Sequence, residues 1–212
     1  MGDVTASRRR AASDVQAWLK SETAVLNRRY EAAIRSPLTV TLGDEFQAII
    51  ASLEDSVRIL FALESARLAT DPGFALHYSI VRGQIDTPVN PDIAHGMLGP
   101  ALTEARRLLT LTGRKRRWVQ VSTASAAHDR LLVNVFDVAD SLKQRWRRQD
   151  YSLIGAMLSE ASNAGIGERF GKTRSQIWKR RQTLLVDEYA RLADTAIGLA
   201  RLADRLETAN GH

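Results

Sequence analysis

Apolar residues recur every three or four positions in two early segments of the chain and alternate with polar residues in two others. The helical spacing predicts amphipathic helices over residues 7–34, ended by Ser36-Pro37, and over residues 53–69. The alternation predicts a β-hairpin over residues 38–50 and a strand over residues 74–81. The amino-terminal part is therefore expected to mix helices with strands.

The same mixture continues to about residue 140. A loop over residues 87–99 precedes a short helix over 101–111, and short apolar runs predict strands at 119–121 and 133–138. The order is helix, strand, strand, helix, strand, helix, strand. It favours an α+β fold, a ferredoxin-like or nucleotidyl-cyclase-like sandwich in which helices cover one face of a mostly antiparallel sheet.

The pattern changes after Asp140. From residue 141 onward the sequence contains no proline and no strand-like run, and helical spacing continues to Leu206. We therefore place a domain boundary near Asp140. We expect an α+β domain at 1–140 and an all-α domain at 141–212.

Residues 163–181 predict a helix-turn-helix motif within the second domain. Gly171 would end a short first helix, Thr173 would begin the next helix as its N-cap, and Ile177 would pack inward. In this arrangement Gln176 could read adenine and Arg174 guanine in a DNA major groove. The full set of predicted DNA-binding residues is Thr173, Arg174, Ser175, Gln176, Lys179 and Arg180.

Two other interpretations of residues 163–181 stay open. A corner between two helices is a common packing device with a solvated basic face, and such motifs also mediate protein contacts. The charge of the chain is compatible with double-stranded DNA, because the formal net charge is +6 and the pI is near 10.0. One helix-turn-helix contacts one half-site, so we expect a homodimer formed through the helices at 7–34 and 184–206.

The amino-acid composition indicates the cellular compartment of the protein. The chain has no cysteine, which excludes disulfides and thiolate metal sites and favours a reducing cytoplasm. The longest apolar runs are interrupted by charged residues, and the amino terminus lacks the apolar core of a signal peptide. We expect a cytoplasmic protein without membrane contact.

Two adjacent carboxylates lie at the predicted tip of the hairpin, where Gly43-Asp44 would form a two-residue turn. Magnesium prefers carboxylate oxygens and usually binds substrate phosphates as well. Asp44 and Glu45, with Asp3 from another strand, could therefore form a magnesium site. Alternatively, the two hairpin carboxylates only bond to backbone amides of the turn.

Three stretches of the sequence resemble the SatD family. They are Gly2-Asp3 followed by Ser7-Arg8, the stretch Thr41-Leu42-Gly43-Asp44-Glu45-Phe46-Gln47, and Gly99-Pro100-Ala101 followed by Ala105-Arg106. With Tyr78-Ser79-Ile80 and Gly83, the resemblance covers roughly residues 1–121. The same landmarks are similar to those of class III nucleotidyl cyclases and diguanylate cyclases.

The cyclase resemblance implies a fold more directly than an activity. It implies metal ligands at Asp3 and Asp44 and a phosphate contact at Arg106 or its neighbour Arg107. Only Met1 and Gly2 precede Asp3, so the first strand would be nearly absent. A native start upstream of Met1 is compatible with this resemblance.

We expect a DNA-binding transcriptional regulator whose cyclase-like domain senses a ligand or dimerises. The alternative is a magnesium-dependent enzyme that binds a nucleotide through Asp44 and Asp3. A third interpretation is a protein-interaction adaptor, which would bind neither DNA nor nucleotide.

Overall fold

A computed structural model describes residues 1–5, 11–41, 43–111, 117–159 and 162–210, without the side chains of residues 208–210. The strands among these residues are β1 (Gly2–Thr5), β2 (Ile34–Val40), β3 (Glu45–Ile50), β4 (Ala75–Val81) and β5 (Val119–Ser122). The first four helices are α1 (Ala12–Arg29), α2 (Leu53–Thr70), α3 (Pro100–Leu109) and α4 (Ala126–Lys143). The last four are α5 (Tyr151–Leu158), α6 (Asn163–Phe170), α7 (Arg174–Leu184) and α8 (Val186–Asn210).

The five strands form one sheet in the order β2-β3-β1-β4-β5. The pairs β2–β3, β3–β1 and β1–β4 are antiparallel, and the pair β4–β5 is parallel. The α+β class predicted from the sequence is confirmed, and the sheet is mixed.

Helices lie on both faces of the sheet. The ring of Phe46 packs against Tyr78, and the Tyr78 hydroxyl reaches Glu64 of α2, which places α2 over this face. Glu45 precedes Phe46 in β3 and so points to the other face, where Arg106 of α3 lies 3.8 Å from it. The expectation that helices cover one face is therefore wrong for α3.

The predicted first helix is too long at its carboxyl end. α1 ends at Arg29, a 3-10 turn covers Glu31–Ala33, and β2 begins at Ile34, so Pro37 lies inside a strand. Because β2 is an edge strand, the missing N–H of proline is tolerated there. The predicted start of the helix, with Ser7 to Arg10, lies outside the described residues.

The strand predicted at residues 133–138 is wrong. This segment belongs to α4, whose first turn is capped by the Ser125 hydroxyl, an acceptor for the His128 amide. Leu132, Phe136 and Ala139 are fully buried at helical spacing. The β-branched residues of the run favoured a strand locally, but burial follows the helical period.

The first strand is present, although the two residues before Asp3 predict that it would be nearly absent. β1 lies between β3 and β4, and its register pairs Gly2 with both Phe46 and Tyr78. A side chain at Gly2 would not fit, since its Cβ would stand 2.3 Å from the Phe46 ring.

The predicted boundary near Asp140 falls inside α4. α5 packs on α2, and α8 packs on both α2 and α4. Tyr189 of α8 meets the ring of Phe61 of α2 with centroids 5.9 Å apart. The described residues of the two predicted domains therefore share one hydrophobic core.

Candidate functional site

α6 and α7 form a corner whose turn is fixed by local hydrogen bonds. The Ser162 hydroxyl accepts from the Gly165 amide at 3.1 Å to begin α6, and Gly171 ends α6 with φ of +62°. Thr173 then begins α7: its hydroxyl accepts from the Gln176 amide, and the Gln176 side chain accepts from the Thr173 amide. The roles predicted for Gly171 and Thr173 are confirmed.

Close packing holds the two helices of this corner together. Ile166 of α6 and Ile177 of α7 are buried, as predicted for Ile177. A Cβ at Gly167 would lie 2.4 Å from the Lys172 carbonyl oxygen, so the turn crosses directly over α6. The outer face of α7 is thus presented at a fixed angle.

The predicted DNA-binding residues divide into two groups. Arg174, Ser175 and Lys179 are exposed on the outer face of α7. Thr173, Gln176 and Arg180 have structural contacts, the first two in the capping box and Arg180 in an ion pair at 2.5 Å with Asp150. A bidentate contact from Gln176 to adenine would use the second lone pair of the side-chain oxygen, because that oxygen already accepts a hydrogen bond from the Thr173 amide.

The surface of the corner is basic. Residues 162–181 contain six Lys and Arg against one Glu, Glu168. Trp178, which is 55% exposed, adds a large apolar side chain to α7. This surface can bind a polyanion.

The motif residues of the amino-terminal part converge on the centre of the sheet. The register pairs Asp3 of β1 with Glu45 of β3 on one side and with His77 of β4 on the other, so the three side chains share one face. Arg106 is on the same face, 3.8 Å from the Glu45 carboxylate. The structure thus brings together Asp3, Glu45 and Arg106.

Asp44 is placed differently from Glu45. The Val4 amide donates to the Asp44 carbonyl at 3.0 Å, which ties the loop to β1 beside Asp3, while Asp44 as a whole is exposed. The loop joins β2 and β3 through residues 41–44 and is longer than the predicted two-residue turn. Leu42 of this loop lies outside the described residues.

Several motif residues have packing roles. Gly99 has φ of +156°, and a Cβ there would lie 2.7 Å from the Ile85 Cα, so only glycine fits. Pro100 occupies the first position of α3, and Ala101 packs against Gly83. The Gln47 side chain donates to the carbonyl of Ala94 and so holds the loop before α3.

No group of three or more His, Asp or Glu side chains within the described ranges is arranged as a metal site. Asp3, Asp44 and Glu45 therefore do not form a three-carboxylate cage. Magnesium also binds through one or two carboxylates when phosphates and water complete its coordination. The pair Asp3 and Glu45 fits that smaller donor set.

Sequence reasoning missed a buried ionic network under the sheet. Glu64 of α2 accepts two hydrogen bonds from Arg67, at 2.6 and 3.0 Å, and lies 3.2 Å from Lys143 of α4. Burial alone would raise the pKa of Glu64, but Lys143 and Arg67 outweigh this and lower it to about 2. Burial raises the pKa of Tyr78, whose hydroxyl reaches Glu64, well above its usual value. The available signal was a Glu and an Arg spaced i, i+3 in an apolar helix.

In a comparison with protein families, the model of the SatD family aligns with residues 1–199. The chain belongs to the SatD family. Comparisons with curated proteins and with solved structures gave no match.

The SatD match extends well beyond the residues that carry the sequence resemblance. It runs past residue 121 through α4, α5, α6 and α7 and into α8. The α6–α7 corner is therefore part of the SatD region of this chain. Ser7-Arg8 of the first SatD motif lies outside the described residues.

Among the residues that the structure covers, no helix has the length and apolar character needed to cross a membrane.

Proposed function

We propose that this SatD protein is a DNA-binding transcriptional regulator whose α6–α7 corner is a helix-turn-helix. The observation that carries the proposal is the exposed, basic outer face of α7, held at a fixed angle by the capping box and by Gly171. Arg174 and Lys179 supply charged donors, and Ser175 adds a hydroxyl. Donors of these kinds suit phosphates and base edges in a major groove.

In this proposal the six predicted residues have two roles, contact with DNA and positioning of α7. Arg174, Ser175 and Lys179 would touch DNA. Thr173, Gln176 and Arg180 would hold the helix in position through the capping box and the ion pair with Asp150.

The amino-terminal residues would form a cyclase-like domain for sensing or dimerisation. In support, β1-α1-β2-β3-α2-β4 with spatial order β2-β3-β1-β4 has the connectivity of a ferredoxin-like fold. β5 extends this sheet as a parallel edge strand.

Binding to two half-sites requires a homodimer. α8 supports this part of the proposal better than α1, because Leu202 and Leu206 are 54% and 50% exposed one helical turn apart. Leu131 and Val138 of the adjacent α4 are similarly exposed. We place the two-fold contact on these four side chains.

The test measures binding to duplexes of about 30 base pairs, long enough for two half-sites one helical turn apart. Fluorescence anisotropy compares a random-sequence duplex with duplexes selected from a random pool, at several salt concentrations. Arg174→Ala with Lys179→Ala should weaken binding by about 1–3 kcal/mol per contact and lower the slope of log K against log salt by about 2.

The matched control removes one Arg and one Lys elsewhere. Lys20 and Arg28 are exposed on α1, so Lys20→Ala with Arg28→Ala changes the net charge equally and should leave binding unchanged. Equal losses from both pairs would mean that only net charge attracts DNA. No binding by the unmodified protein would favour the adaptor interpretation.

A second candidate function is magnesium-dependent nucleotide binding, with or without cyclase-type turnover. It is favoured by the register that pairs Asp3 with Glu45 and by Arg106 beside Glu45. Asp3 and Glu45 would hold the metal, and Arg106 would contact phosphate. The carboxylate that matches the cyclase pattern, Asp44, would lie at the rim of this site.

Calorimetric titration with nucleoside triphosphates and magnesium separates this candidate from the first. Binding that depends on magnesium and is lost in Asp3→Asn, with Asp92→Asn on the exposed loop as control, would support it. Product formation abolished by Asp44→Asn would add catalysis. Absence of metal-dependent binding in the unmodified protein would refute it.

A further inference from the structure

A cleft of about 380 Å³ lies between the carboxyl ends of α2 and α4. None of the residues predicted to bind DNA, metal or phosphate is among the described residues that line it. Its volume is within the range of pockets that bind small molecules. The lining combines aromatic rings with charged groups and includes Asp71, Phe74, Trp118, Asp140, Arg148 and Tyr151.

The two carboxylates of the cleft already accept hydrogen bonds from neighbouring side chains. Asp71 accepts from Arg148 Nε at 2.8 and 3.0 Å. Asp140 accepts from the Gln144 side-chain amide at 2.6 Å and lies 3.2 Å from Lys143 Nζ. A cationic ligand would therefore have to compete with existing partners for both carboxylates.

Two donors of the cleft, in contrast, lack an acceptor among the described residues. Arg148 bonds to Asp71 only through Nε, which leaves its two Nη groups without a hydrogen bond. Trp118 is 4% exposed, and its indole N–H has no acceptor in the described part of the chain. A buried donor normally has a partner. Because Trp118 lines the cleft, an acceptor bound there is the candidate for this bond.

These features together favour a small aromatic anion as the ligand. The two Nη groups of one guanidinium match two oxygens of a carboxylate or a phosphate. The Arg148 side chain is 59% exposed, so an anion can reach it from solvent. The rings of Phe74, Trp118 and Tyr151 offer apolar surface to the ring of the ligand.

A 3-10 turn over Arg148–Asp150 connects the cleft with α7. Arg148 lines the cleft, while the buried Asp150 pairs with Arg180 of α7 at 2.5 Å. A ligand that binds Arg148 therefore acts on the same turn that positions α7.

We propose that the cleft binds a small aromatic anion, with Arg148 holding the oxygens of its carboxylate or phosphate group. An oxygen of the ligand also accepts from the indole N–H of Trp118. The anion gives Arg148 a second partner and so fixes the turn that positions α7, which strengthens DNA binding. The effect on DNA rests on the function proposed above, whereas the anion site does not.

Calorimetric titration with benzoate, phenyl phosphate and the neutral benzamide tests the site. At least one of the two anions should bind and benzamide should not, and the tighter of the two anions identifies the charged group. Arg148→Ala should weaken this binding about 10-fold or more, since charge-assisted hydrogen bonds are lost. Arg145→Ala removes an exposed arginine that does not line the cleft, and this matched control should leave anion binding unchanged.

A second variant separates the paired donors of the guanidinium from its charge. Arg148→Lys keeps the charge without the paired donors and should bind the anion with intermediate affinity. Absence of binding for both anions would overturn the proposal. Equal binding of benzamide, or equal losses in Arg148→Ala and Arg145→Ala, would overturn it as well.

Fluorescence anisotropy with the selected duplex, at constant ionic strength, tests the link to α7. A saturating concentration of the anion should tighten DNA binding about 5-fold in the unmodified protein but not in Arg148→Ala. Unchanged or weaker DNA binding would overturn the link and leave the anion site standing. If the unmodified protein binds no DNA, the DNA-binding function and the link fail together, and calorimetry still decides the anion site.

Discussion

At the scale of single residues, Glu64 is a buried carboxylate that depends on two cationic partners for its charge. Its carboxylate is 1% exposed and lies between Arg67 and Lys143. Removing one partner from a buried ionic group is costly, because the remaining charges stay buried without compensation. The network joins α2 to α4, so its loss affects the contact between two elements.

Glu64→Gln is expected to destabilise the protein by about 3–5 kcal/mol at pH 7, measured by urea unfolding. The folded-state pKa is depressed, so this carboxylate stabilises the fold above its ordinary pKa of 4.5 and ceases to do so as pH falls toward 2. The difference between wild type and variant should therefore narrow by about 2 kcal/mol between pH 5 and pH 3.

Glu54→Gln is the matched control for Glu64→Gln. Hydrogen bonds from Arg201 and Arg58 lower the pKa of Glu54 to about 2 as well, but its side chain is 21% exposed. Solvent screens such a pair, and the expected loss is below about 1 kcal/mol. Similar losses at both positions would show that burial does not set the strength of the Glu64 network.

Residue roles could be predicted from sequence where the chemistry is local. Gly171 and Thr173 were identified from helix-end preferences that act within a few positions. The role of Glu64 could not be, because its partner Lys143 comes from a distant helix. For Gln176 the sequence analysis predicts a DNA contact and misses the capping box. An exposed amide side chain suits both roles, and its residue type alone does not distinguish them.

At the scale of elements, the crossing of α5 over α2 depends on one glycine. A Cβ at Gly155 would lie 2.4 Å from the Ala69 backbone, so the helices touch through their main chains. Gly198 of α8 is also in a helix, but a Cβ there meets nothing within 4 Å. Both glycines thus have helical backbones, but only Gly155 lacks room for a Cβ.

Gly155→Ala should destabilise the protein by about 1–3 kcal/mol, because α5 must shift away from α2. Gly198→Ala should stabilise it by about 0.5–1 kcal/mol, since alanine favours a helix and has room. Thermal unfolding of the two variants gives the comparison. A stabilising Gly155→Ala would contradict the close crossing of α5 and α2.

Elements with a clear period were predicted well. The helix predicted at 53–69 is α2, and the strand predicted at 74–81 is β4 with its start moved by one residue. The run at 133–138 was misassigned because Val and Phe favour strands, while the burial that makes it helical comes from α2 and α8. The first helix ends at Arg29, earlier than predicted, because Pro37 does not mark the end of the helix but lies within an edge strand, where proline is also tolerated.

At the scale of the whole molecule, the candidate site was predicted in part. The motifs containing Asp3, Glu45 and Arg106 were recognised in the sequence, and the structure brings them to one face of the sheet. Their relative positions depend on strand register, which local patterns do not specify. The boundary predicted near Asp140 likewise rests on a local signal, the change of composition at that point. The packing of α8 on α2 and α4 is a long-range property that composition does not specify.

The shared core predicts that the chain unfolds as one unit. Tyr189 of α8 contacts Phe61 of α2, and α8 also packs on α4, so residues after 140 cover apolar surface of α2 and α4. Calorimetry of the full chain should give one transition with equal calorimetric and van't Hoff enthalpies. Fragments 1–140 and 141–212, each lacking the other's cover, should show no cooperative transition alone. A sharp transition in fragment 1–140 would instead mean that the α+β region has an independent core and that α8 only docks on it.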